Sequence, residues 1–157
     1  MAWSVDTKGH SQVESLTSAA RPGYSGFEMK AKVRRFHSPD VYDLKKYVPE
    51  DPEYVGVLIQ IMAGPEDGPG EESFDVVVCT PRWLEWWVQH DAVPGQTRND
   101  PLVGRHYLVA ARWDSARVLQ FLTAAVESEE APRWNDLALR IGRIGRWEFE
   151  DYKEDKA

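Results

Sequence analysis

Cysteine is almost missing from this chain. Cys79 is the only one, so no disulfide can close within it. It sits in the apolar run "FDVVVCT", where a buried, inert thiol is expected rather than a nucleophile. No set of cysteines and histidines has metal-ligand spacing, and a single thiol fits a reducing cytoplasm. Long apolar runs are missing as well, since none approaches the roughly 20 residues that cross a bilayer. The opening "MAWSVDTKGHSQVESLTSAA" has no basic start followed by an apolar block, so it does not read as a signal peptide. Positive charge is also short: 19 Lys and Arg face 26 Asp and Glu, for a formal net charge of −7. That argues against binding nucleic acid or an anionic membrane by charge alone, which requires cations to displace counterions.

The motifs of common chemistry are absent too. There is no GxxxxGK[ST] loop, no GxGxxG after a strand, no GxSxG elbow and no HExxH pair, so neither a cofactor nor a metal is expected. His10, His37, His90 and His106 are scattered. His37 and Asp40 in "HSPD" could form an acid–base pair. A local turn bond from Ser38 or Asp40 to the backbone around Pro39 is the plainer role. Arg105 could bind a carboxylate or a phosphate, and here a structural ion pair is the plainer role.

Aromatics are plentiful: 7 Trp, 6 Tyr and 5 Phe supply a core for one domain of 157 residues. Residues 1–26 show no amphipathic period and read as a flexible arm, residues 27–152 as the domain, and residues 153–157 as a charged tail. Phe27, Met29, Ala31 and Val33 alternate with charged residues, which predicts a strand with one wet face. The reversal at Arg35 and Phe36 predicts a bulge or the strand's end. "YVGVLIQIMA" predicts a central strand covered on both faces, joined through "GPEDGPGEES" to the strand "FDVVVC". Thr80 and Pro81 predict a capped helix carrying Trp83, Leu84, Trp87 and Val88 on one face. "RHYLVAARW" predicts a strand, Asp114 caps a second helix, and a third carries Trp134, Leu137, Ala138 and Ile141. "RWEFED" predicts a last strand with Trp147 and Phe149 turned into the core. The fold class is α+β: an antiparallel or mixed sheet of about four to five strands, with about three helices mainly on one face.

Acids cluster in "PEDGPGEES", "ESEE" and the closing "GRWEFEDYKED". Glu66, Asp67, Glu71 and Glu72 are expected in the hairpin loop, with Glu148, Glu150 and Asp151 in the closing segment. Such carboxylates serve either solubility or the attraction of a basic partner, and they are not expected to carry folding stability. Trp86 lies off the apolar face of its helix. It joins these acids as a candidate contact for a partner, with residues 91–104 as the next candidate surface.

The blocks "LIQIMAGPEDGPGEESFDVVVCTPRWL", "GRHYLV" and "IGRIGRWEFEDY", in this order and spacing, resemble the immunity protein 8 family of bacterial polymorphic-toxin systems. The resemblance spans roughly residues 27–152. Its motif positions here are Phe74, Asp75, Thr80, Pro81, Trp83, Arg105, His106, Gly145, Arg146, Trp147, Glu148, Phe149 and Tyr152. It implies an α+β, non-enzymatic inhibitor in the bacterial cytoplasm that binds and neutralises a cognate toxin domain. Two other readings stand beside it: a small enzyme using Arg105, His106 and His37, or an assembly protein using a sheet edge. The enzyme requires its groups to converge on one pocket.

Overall fold

The computed structural model describes Gly26 and residues 28–90 and 100–153. The arm expected over residues 1–26 lies outside these apart from Gly26, as do residues 91–99 and 154–157. The expected alternation forms β1 (Met29–His37): Ala31 is buried, Met29 and Val33 half-buried, Lys30 and Lys32 exposed. The register of β1 against its neighbour shifts between Val33 and Arg35. The extra residue keeps Phe36 opposite buried Ile61, whereas an unbroken alternation would have turned its ring outward. Arg34, in the bulge, donates to Pro65 O at 2.6 Å and Gly68 O at 2.9 Å and so holds the next turn.

β2 (Gly56–Pro65) and β3 (Glu72–Cys79) form the expected hairpin. Gly64 admits the turn's close approach, because a Cβ there would lie 2.1 Å from Gly70 O. The expectation that β2 is covered on both faces does not hold. Val57, Ile59, Ile61 and Ala63 are buried, while Leu58, Gln60 and Met62 are half-exposed, so the second face is only partly covered.

α1 (Pro81–Gln89) starts with Pro81 in its first turn. Thr80 does not cap it. The Thr80 hydroxyl accepts the Val55 N–H at 3.0 Å, tying the helix start to the entrance of β2. α1 lies on the face opposite Val57: the Trp83 ring fills the space that a side chain on Gly56 would need, 2.0 Å from its Cβ position. β4 (Tyr107–Val109) is shorter than expected. Asp114 caps α2 (Ser115–Glu127) by accepting the Arg117 N–H at 3.1 Å. β5 (Glu130–Ala131) was not foreseen. α3 (Trp134–Ile141) follows, and β6 (Arg146–Trp147) completes the described elements.

The sheet runs β4-β3-β2-β1-β5, with β6 antiparallel to the first half of β3 and β4 parallel to its second half. It is the mixed sheet of an α+β fold. Val118, Leu122 and Val126 of α2 and Leu137, Ala138 and Ile141 of α3 join Ile59, Ile61, Phe74 and Val76 in one core. Each large apolar side chain buried there contributes about 1.5–3 kcal/mol.

Candidate interaction surface

The closing segment is fastened to the sheet by its own acids. Gly145 allows the approach, since a Cβ there would stand 3.0 Å from the Phe74 carbonyl carbon. Trp147 then pairs with Phe74 and is buried, and its Nε1–H donates to Glu72 Oε2 at 2.7 Å. Trp134 of α3 donates to the same oxygen at 2.8 Å. Glu72 is therefore not in the hairpin loop. It opens β3 and joins two indoles from two other elements. Glu148 and Ser73 exchange bonds: the Glu148 N–H donates to Ser73 O at 3.1 Å, and the Ser73 N–H donates to Glu148 Oε1 at 2.7 Å.

Past Trp147 the chain coils instead of extending. Glu150 N–H donates to Trp147 O at 3.0 Å and Tyr152 N–H to Phe149 O at 3.1 Å, which ends the expected strand after two residues. Phe149 consequently leaves the core and is 41% exposed, contrary to its expected burial. Its ring meets Trp147 edge-on at 5.9 Å and Tyr152 at 6.1 Å, so three aromatics lead from the core to the solvent. Glu150 forms an ion pair with Arg105, the structural role expected of that arginine. His106 adopts φ 62°, an unusual conformation for a residue with a side chain. Two bonds hold it there: Nε2–H donates to Gly142 O at 2.7 Å, and its carbonyl accepts Val77 N–H at 2.9 Å.

The other candidates lie apart. Glu71 accepts from Arg35 at 2.6 Å. Glu66 and Asp67 are exposed on the hairpin turn, and Asp151 reaches Arg146 only at 3.8 Å. Trp86 is 40% exposed and stacks on His90 at 4.8 Å, while Trp83 and Trp87 stack at 4.9 Å. His37 Nδ1 stands 2.7 Å from Gln60 Oε1. Ser38 Oγ accepts from Asp40 N–H at 3.1 Å, and Asp40 accepts Leu58 N–H at 2.9 Å. His37 and Asp40 thus both engage β2, Arg105 the closing segment and His106 the end of α3, and no described cavity collects the four. Among the described residues no group of His, Cys, Asp and Glu is arranged to hold a metal ion, and no helix is long and apolar enough to cross a membrane.

A family model described as Immunity protein 8 matches residues 31–152, and the chain belongs to that family. No curated protein and no solved structure matches it.

Proposed function

We propose that this chain is a cytoplasmic immunity protein that neutralises a cognate toxin of a bacterial polymorphic-toxin system by binding it directly, without catalysing a reaction. The family match over residues 31–152 carries this reading. It is supported by the separate structural engagements of Arg105, His106, His37 and Asp40. The net charge of −7 favours a toxin with a basic surface, and Glu66, Asp67 and Asp151 are the acids freest to speed its approach.

The test is to express the C-terminal toxin domain encoded beside this gene in a bacterial host, with and without this chain. Growth should be arrested by the toxin alone and restored by co-expression, and the purified pair should elute together. Continued arrest with the chain abundantly present overturns the reading. So does rescue by catalytic amounts of chain without a stable complex.

A further inference from the structure

The two edges of the sheet are finished differently. At β1, Lys30 and Lys32 lie along the strand, the register is broken by a bulge, and β5 covers Met29 and Lys30. The next outward donor, Val33 N–H, is taken by Glu127 Oε1 at 3.1 Å, and Lys32 pairs with the same oxygen at 3.1 Å. Charge, a bulge and a plugged donor are the usual means of stopping a sheet from recruiting another strand.

At β4 none of these devices is present among the described residues. The edge reads Tyr107-Leu108-Val109-Ala110-Ala111, without charge or proline. Val77 N–H donates to His106 O and Ala110 N–H to Cys79 O, both at 2.9 Å. Even-numbered main-chain groups therefore face β3, and by alternation those of Tyr107 and Val109 face outward. Those outward groups make no hydrogen bond among the described residues. Val109 is 50% exposed and Ala111 is exposed.

A hollow lies on each side of this edge. On the core side one of about 810 Å³ is lined by Leu108, Val118, Phe121, Arg112 and Arg117. On the α1 side one of about 480 Å³ is lined by Val109, Pro81, Leu84 and Val88. A strand added to β4 would send alternate side chains into the two hollows, since successive residues point to opposite faces. Arg112 has no ion-pair partner among the described residues, and Arg117 lies 3.6 Å from Asp114 with its side chain 88% exposed. The core-side rim therefore has cationic charge to spare.

We infer that the open edge of β4 is the docking edge of this protein: it takes an extended segment of the partner toxin, with alternating apolar side chains and a carboxylate placed against Arg112 and Arg117. This rests on the immunity reading above. The backbone bonds hold the segment, and the paired hollows and arginines select it.

The experiment uses the full chain and the toxin domain encoded beside its gene. Amide exchange is followed on the free chain and on the complex. In the complex, protection should rise at Tyr107 and Val109 and change little at Leu108 and Ala110. Val109→Pro removes an outward N–H that has no partner among the described residues, and it should weaken toxin binding by at least 100-fold. Should that variant fold poorly, Val109→Lys keeps the backbone intact and places a charge on the edge. It should weaken binding at least tenfold with an unchanged melting temperature, as should Arg112→Glu. Toxin binding with unaltered affinity by folded Val109→Lys and no new protection at Val109 overturns the docking edge and leaves the immunity reading intact. Failure of the wild-type chain to bind the toxin overturns both. Protection of Val109 in the free chain that grows with its concentration would assign the edge to a second copy and overturn the toxin segment as occupant.

Discussion

Glu72 shows how much one carboxylate can decide. Its Oε2 accepts both Trp134 and Trp147, joining α3 and β6 to the first residue of β3. Replacing it with Leu leaves two largely covered indole donors without an acceptor, each costing about 1–3 kcal/mol when water cannot reach it. Glu72→Leu should therefore lose about 2–6 kcal/mol in urea unfolding, and Trp147→Phe should remove part of that difference when the two are combined. An unchanged midpoint would show that water satisfies both indoles. Cys79 gives a second check at this scale. It is 1% exposed, and burial pushes its thiol up to about 11. The thiolate is the reactive form, so near pH 8 only about one thiol in a thousand is ready to react. Cys79 should resist aromatic disulfide reagents in the native chain and react at the rate at which the protein unfolds. Rapid labelling of the folded chain would contradict its burial.

Among the elements, two glycines mark where segments touch, and their obstacles differ in kind. A Cβ on Gly56 meets the Trp83 ring, a side chain that can swing aside with α1, whereas a Cβ on Gly64 meets the Gly70 carbonyl oxygen of the turn. Gly56→Ala should cost about 1–3 kcal/mol, with faster amide exchange confined to α1. Gly64→Ala should cost more, and the loss should appear in the β2–β3 hairpin. Equal and global losses would mean that α1 does not yield independently. The periodic elements were legible from sequence: α3 buries Leu137, Ala138 and Ile141 of the face that helical spacing assigned, with Trp134 half-buried, and the bulge in β1 appeared as a broken alternation. Thr80 was misjudged because a hydroxyl beside a helix start looks like a cap, and only the arrival of Val55 N–H redirects it. β5 has two residues and β6 two, too few for any period, so they exist only where β1 and β3 supply partners.

For the whole molecule, the acids divide by what they hold. Replacing Glu66 with Gln and Asp67 with Asn should leave the unfolding free energy within about 0.5 kcal/mol. Glu148→Ala with Glu150→Ala removes the acceptor of Ser73 N–H and the partner of Arg105. That pair should lose about 1–2 kcal/mol, with the Arg105 share falling as salt is added. Similar losses from both pairs would refute the division. The closing acids were expected to leave stability untouched, and the structure instead assigns Glu148 and Glu150 to the fastening of the C-terminal segment.

The sequence by itself determined the α+β class, the helix faces, the hairpin and the burial of Cys79. Each depends on neighbours a few residues apart, whose spacing already states which side is wet. It also carried the family, through blocks spread over the domain. Tertiary structure alone decided that Glu72 and Glu148 are braces rather than free charge, because their partners lie 62 to 75 residues away. It also decided which sheet edge is uncovered among the described residues. Nothing in "YLVAA" reveals an edge: the same five residues would be interior if another strand had paired with them. Only the order β4-β3-β2-β1-β5, with Glu127 closing β1, puts those amides on an outer edge, without a hydrogen bond among the described residues.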